Sequence, residues 1–375
     1  ALPLWQWSQI QALLPHVTCR AHFALGAQLS PQWAVDELLK ISRADSGALE
    51  SQVKSLLPRW RSTAARVEEA RFFAKVLKLS MHIDNSTVAH GWLLPLRMHR
   101  LRSQTMRRYF AALVDKHGLP WATELCTAWF GKHHWQTPPW VQLLAELCRE
   151  LCESGSGPCR ALADWLLNRE LEIARARCVD SSEEGTPWLD LDAQADEAQH
   201  LAHVFACAVT MSAPELLVET SSFLFDEHEA STSFVAQLVQ ACVVRSPELR
   251  KQLVGSRLHH VFAERFGAVV RAPARAQGDW TIDYKLHCSC DDCAVLSQFL
   301  GSARTELDWP LNQGRRQHIH TTIDSAKLPV LHTTRRTGSP YVLQLRKDDS
   351  LFSRERAYRE RAKELLKLLP AVGRG

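Results

Sequence analysis

The stretch HCSCDDC, residues 287–293, places Cys288, Cys290 and Cys293 within six residues, in a chain with 11 cysteines in 375. Cys290-x-x-Cys293 is the spacing that lets two thiolates converge on one ion, and the other ligands of a tetrahedral site usually arrive from a separate element. His318 and His320 are the first candidates, followed by Cys288 and His332. His318 and His320 stand at i and i+2 of a helical pattern, so only one of them can face the ion. The expected set is Cys290, Cys293 and His318, completed by His332 or Cys288, with His320 as an alternative ligand. Zinc fits a sulfur and imidazole donor set. No spare acid or base lies beside these residues, so the site is expected to be closed and structural. The competing readings are a cluster of reduced, buried thiols and a redox pair.

Other chemistry-bearing residues carry less. His82-x-Asp84, in MHIDNS, is the first half of the arrangement that holds iron(II) with two histidines and a carboxylate. That geometry needs a rigid strand, whereas this pair closes a helical segment, with Asp84 or Asn85 placed to cap the next helix. His133 and His134, in GKHHWQTPP, are neighbours that point in different directions. Glu68-Glu69 and Glu183-Glu184 are explained by solvation of helix faces or loops. With no complete catalytic constellation, the chain is not expected to be an enzyme.

The elements that must position the cysteines and histidines lie in residues 279–347. GDWTIDYKLHC, residues 278–288, and PYVLQLRK, residues 340–347, alternate like strands. Between them come the helix DCAVLSQFLGS, RTELDWPLNQG as a loop, the helix RRQHIHTTIDSA and the segment LHTTRRTGSP. A small α+β module of this kind has little core, which makes a metal a useful staple. Residues 348–375 follow as a C-terminal helix and tail, with Ala357, Leu365, Leu366 and Leu369 expected to be buried and only the last two turns docking firmly.

Residues 1–270 follow a different pattern. They form a succession of amphipathic helices of about 10–20 residues, punctuated by Pro, Gly or a cap. Ser30-Pro31 and Ser246-Pro247 each place an N-cap before a proline at the first helical position. Short connections between such helices favour stacked antiparallel pairs, so the expectation is an irregular HEAT-like solenoid of helical hairpins, with a compact bundle as the alternative. Trp33, Trp60, Trp92, Trp129, Trp140 and Trp165 lie on apolar helix faces and are assigned to core packing. The sequence VVRAPARAQGDW breaks the helical pattern, and residues 271–278 are taken as the linker.

Charge changes at the same place. From Arg271 onward there are 18 Lys and Arg against 12 Asp and Glu, whereas residues 1–270 have 27 against 29. No run of about 18 apolar residues marks a membrane span, and the first residues lack a secretory signal. The scattered, odd-numbered cysteines suit an intracellular compartment.

CDDCAVLSQFL, RRQHI and HTTRRTGSPYVLQLRK together resemble a C-terminal cysteine/histidine module of large fungal and protist proteins that carry an iron(II)- and 2-oxoglutarate-dependent oxygenase domain elsewhere. The resemblance covers about 60 residues, over Cys290, Cys293, Phe299, Leu300, Arg316, His318, Thr334, Arg336, Gly338, Ser339, Pro340, Leu343 and Lys347. It implies a helical region followed by a cysteine/histidine module, without the oxygenase domain itself. A SWIM-type finger also begins CxC, as Cys288 and Cys290 do, but no later Cys-x-His follows here.

Three functions are therefore weighed. The first is a non-catalytic scaffold that binds protein partners, with structural zinc. The second is nucleic-acid binding through Arg315, Arg316, Arg335, Arg336, Arg346 and Lys347. The third is a regulatory or docking region of a 2-oxoglutarate/iron(II) oxygenase. The expected order follows that sequence, because the basic excess is modest and solvated charge usually explains such an excess.

Overall fold

The computed structural model describes residues 30–42, 46–64, 70–96, 101–130, 138–183, 188–192, 194–227 and 230–370. They contain sixteen α-helices and one three-stranded sheet, so the chain is mainly helical. Two compact units divide it, Ala1–Arg169 and Glu170–Gly375. His133, His134, Glu68, Glu69, Glu184 and Cys19 lie outside the described residues, as does the side chain of Trp140.

The first unit holds α1 (Pro31–Ile41), α2 (Ser46–Ala64), α3 (Ala70–Ser80), α4 (Ser86–Leu93), α5 (Gln104–His117), α6 (Leu119–Phe130) and α7 (Pro138–Glu153). It also holds the start of α8 (Gly157–Glu183). Starts and stops follow local chemistry. The Ser30 hydroxyl accepts Trp33 N–H with Pro31 behind it, and Ser103 accepts Met106 N–H. Gly118, at φ +86°, ends α5 in a conformation that an L side chain rarely adopts. Asn85 rather than Asp84 caps α4, while Asp84 pairs with Lys116 at 2.7 Å. His82 and Asp84 are both exposed, as a capping segment requires and a buried iron site does not.

Helices one apart and two apart in sequence pack together: α1 on α2 and α3, α2 on α4, α3 on α4 and α5, α4 on α6, α5 on α6 and α7. Odd-numbered helices thus contact odd, and even contact even. Tryptophans knit the even helices. Trp60 donates its indole N–H to Trp92 O at 2.8 Å and stacks on that ring at 3.8 Å, while Trp129 donates to Leu93 O at 3.0 Å. Trp60, Trp92 and Trp129 are buried, as core packing demands, whereas Trp33 and Trp165 are half-buried.

The second unit contains α9 (Ala195–Thr210), α10 (Glu215–Ser222), a π turn (Phe223–Glu227), α11 (Thr232–Arg245), α12 (Pro247–Leu253) and α13 (Arg257–Arg271). Next come α14 (Asp291–Leu300), β1 (Glu306–Pro310), α15 (Gln313–Ser325), β2 (Val330–Arg335), β3 (Val342–Lys347) and α16 (Ser350–Leu366). The strands are antiparallel in the order β1-β3-β2. Leu343 and Leu345 of β3 face a core built with Ile282, Leu296, Phe299, Leu311, Ile319, Ile323 and Leu351.

Several expectations need correction. The alternating segment 278–288 is irregular rather than a strand. Ile282 is buried, but its N–H meets Leu300 O at 2.8 Å, at the end of α14, rather than a neighbouring strand. The segment expected as a loop supplies β1, whose Leu307 and Trp309 alternate inward opposite Leu345 and Leu343.

Residues 271–278, read as the linker, carry contacts of their own. Arg359 of α16 donates to the carbonyls of Val270, Ala272 and Pro273, and Arg275 binds Glu355, which fastens the segment to the C-terminal helix. That helix buries Leu351 at its start as well as Ala362 and Leu365 near its end, with Leu369 buried just beyond it, whereas Ala357 is exposed and Leu366 half-buried. It docks at both ends because Leu351 belongs to the module's core.

Candidate metal centre

Cys290 begins the site because α14 begins there. Its side chain is the N-cap, accepting Cys293 N–H at 3.4 Å, so the helix start fixes both sulfurs on one turn. Cys293 is buried, at 1% exposure, and packs with Leu296 and Phe299, whereas Cys288 and Cys290 lie toward solvent.

His318 is delivered by α15. Asn312 caps that helix by accepting Arg315 N–H at 3.0 Å, and Arg315 donates from Nε to Asp292 Oδ2 at 2.8 Å with a second contact to Oδ1. Arg315 and His318 are three residues apart and share a helix face. The ion pair to Asp292 therefore sets His318 beside Cys293, the next residue after Asp292. His318 Nε2 lies 3.2 Å from Cys293 Sγ and 3.5 Å from Cys290 Sγ. Below this face, Arg316 is buried, donating to Leu311 O and covering the Tyr341 ring at 5.2 Å.

Cys288 completes the group. The ligating atoms of Cys288, Cys290, Cys293 and His318 all lie within 4.8 Å of one another, a Cys3His cluster that could hold a metal ion. His332, the other candidate for the fourth position, stands elsewhere. It is on β2, with its ring 4.7 Å from that of His320 and the two Nδ1 atoms in hydrogen-bond contact. Its Nε2 donates to Asp324 at 3.1 Å, and His320 Nε2 contacts Thr334 Oγ1 at 3.3 Å. His320 and His332 thus latch α15 to β2. His332 and Asp324 also line a cavity of about 580 Å³ with Trp188, Lys327 and Tyr358.

Electrostatics separates the thiols. The Cys293 N–H directed at its sulfur, with a hydrogen bond from Cys288, lowers the Cys290 thiol to about 7. Burial pushes the Cys293 thiol upward, and its neighbouring sulfurs add to that. Metal ligation requires thiolates, and Cys290 ionises more readily than Cys293. Arg315 holds the Asp292 carboxyl below its ordinary range.

Of the basic residues considered for nucleic acid, Arg316 and Lys347 are buried, whereas Arg315, Arg335, Arg336 and Arg346 are exposed. Arg315 binds Asp292, Arg316 is buried, and Arg335 pairs with Asp308 at 3.3 Å. Lys347 is buried beneath the sheet, where its Nζ donates to Leu300 O at 2.9 Å and Ser302 O at 2.5 Å and sits over the Phe299 ring.

Trp188 was not foreseen. It precedes α9 by several residues, yet it is buried in the module's core and its N–H donates to Ala326 O at 2.8 Å. The apolar pair Trp188-Leu189 between two helices was the only sequence signal. No helix among the described residues is long and apolar enough to cross a membrane. Comparison with family models, with curated proteins and with solved structures gives no match for this chain.

Proposed function

We propose that the chain is a non-catalytic, protein-binding scaffold whose C-terminal module is pinned by one structural zinc ion on Cys288, Cys290, Cys293 and His318. The observation that carries the reading is the convergence of four soft or borderline donors within 4.8 Å. Tetrahedral zinc, with bonds of about 2.3 Å to sulfur and about 2.0 Å to nitrogen, holds sulfurs about 3.8 Å apart and sulfur and nitrogen about 3.5 Å apart. The contacts of 3.2 and 3.5 Å from His318 Nε2 to the two sulfurs are close to that spacing. Four protein donors leave no open position for substrate or water, which supports a structural rather than a catalytic ion. In the first unit, the pairing of α1 with α2, α3 with α4 and α5 with α6, with each helix also on its next-but-one neighbour, supports a HEAT-like stack of hairpins, an architecture that offers protein partners an extended face.

The burial of Arg316 and Lys347, and the pairing of Arg315 and Arg335 with aspartates, favour this reading over phosphate binding. Elemental analysis of the purified chain tests it, with about one zinc per chain expected. A chain without zinc that keeps a folded module would sink the metal reading. Isolation of the chain with its companions from its native setting tests the scaffold role: a stoichiometric protein partner is expected, and a persistent monomer would remove it. Steep weakening of any nucleic-acid complex with salt would instead favour the second function.

A further inference from the structure

Cys290 and Cys293 are placed for a second chemistry besides metal ligation. One is the N-cap of α14 and the other lies three residues on, with the Cys293 N–H 3.4 Å from the Cys290 sulfur. Helix geometry separates such positions by about 5 Å between Cα atoms, inside the span of roughly 4.4–6.8 Å that a disulfide bridges. Their sulfurs already lie within 4.8 Å of each other. Cys290 is exposed to a solution oxidant, whereas Cys126, Cys148, Cys159, Cys207 and Cys242 are buried in helical cores. Cys293 is behind Cys290, shielded from the oxidant but within reach of its neighbour.

We propose that Cys290 and Cys293 form a reversible disulfide on exposure to a hydroperoxide, and that the metal-bound and disulfide forms exclude each other. The Cys290 thiolate attacks the peroxide: an S–O bond forms, the O–O bond breaks, and hydroxide leaves. The Cys293 sulfur then attacks Cys290, forming the S–S bond and breaking S–O, and the departing hydroxide takes the Cys293 proton as water. Two electrons pass from the sulfurs to the peroxide; with hydrogen peroxide, two thiols give one disulfide and two waters. The bridged sulfurs no longer carry thiolate charge, so two of the four ligands are lost and the ion leaves. The exclusion rests on the metal-centre reading, whereas the bridge needs only the start of α14.

The test uses the full chain loaded with zinc and folded. Hydrogen peroxide is titrated in, released zinc is followed with a coloured chelator, and the cysteines are mapped under non-reducing conditions. One Cys290–Cys293 bridge is expected per ion released, the buried cysteines remain thiols, and a dithiol reductant restores zinc binding. Chain stripped of zinc should form the same bridge at least about tenfold faster, because its thiolates are uncoordinated. The Cys288→Ser chain, which keeps both bridge partners, should form it at the stripped rate even with zinc added. A bridge that uses Cys288, or oxidation of Cys290 to sulfinic acid without a bridge, overturns the proposal. A chain that binds no zinc but bridges Cys290 to Cys293 removes the metal reading and the exclusion with it. A chain that binds zinc and never bridges removes the disulfide alone.

Discussion

Cys288 and His332 show how one position decides a ligand set. Both satisfy the spacing, since each can be reached from the Cys290–Cys293 turn by a plausible chain path. What separates them is the face of β2 on which His332 lies and the hydrogen bonds to His320 and Asp324 that hold it there. Cys288→Ser should therefore reduce zinc from about one per chain to well below half, whereas His332→Ala should leave zinc unchanged and lower stability by about 1 kcal/mol through the lost latch. Elemental analysis with urea denaturation reads both, and zinc loss in His332→Ala would return that residue to the ligand set. Lys347 offers a second case. Its ammonium, which burial brings down to about 8, ties the carbonyls at the end of α14 to β3. Lys347→Ala should cost about 2 kcal/mol, the scale of hydrogen bonds from a charged donor, and should leave Ser302 O bare. A change within about 0.5 kcal/mol in urea denaturation would mean that solvent replaces those bonds.

The elements were legible where a pattern is local and obscure where a distant partner decides. Ser30-Pro31 and Ser246-Pro247 mark helix starts because a cap and a proline act within one turn. Helix α13 carries an equally local signal, since Ser256 caps it and Leu258, Phe262 and Phe266 repeat at its buried face. Residues 278–288 illustrate the opposite limit. Alternation predicts which side chains go inward, and Ile282 does, but a strand also needs backbone bonds to a neighbouring strand, and the Ile282 N–H is instead taken by Leu300 O at the end of α14. The cysteine-bearing turn and the histidine helix were legible from residue types and spacing, while the Asp292–Arg315 pair that registers one against the other could not be seen until both elements were placed. Trp188 makes the same point across a longer interval. Trp188→Ala should remove a large buried ring from the module's core and destabilise the second unit by about 3 kcal/mol. Loss of less than 1 kcal/mol in thermal or urea unfolding would show that residues 188–192 are not part of that core.

At the scale of the molecule, the two units should respond alike to acid and differently to metal removal. Each holds histidines whose pKa lies below the ordinary value, chiefly because burial disfavours the charged ring. His117 does so in the first unit, against Trp121, and His203, His259 and His320 do so in the second. His203 is brought down to about 4 by burial and by Arg245, whose guanidinium donates to its Nδ1. The unfolded chain takes up these protons at a pH near 6.5 and the folded chain only at lower pH. Between those limits the unfolded state binds more protons, so stability is present in full above about pH 6.5 and is lost as pH falls toward 4. Both units should weaken over that interval. A chelator at neutral pH acts on one of them, because all four metal-site residues belong to the second unit. Hydrogen exchange, corrected for intrinsic rates, reads the units separately: chelation should deprotect peptides within residues 282–347 and spare those within 70–130, whereas pH 4.5 should loosen both. If the chelator loosened the first unit equally, the module would not be an independently stapled part of the fold. If acid spared the first unit, the neutral state of His117 would contribute nothing to its stability.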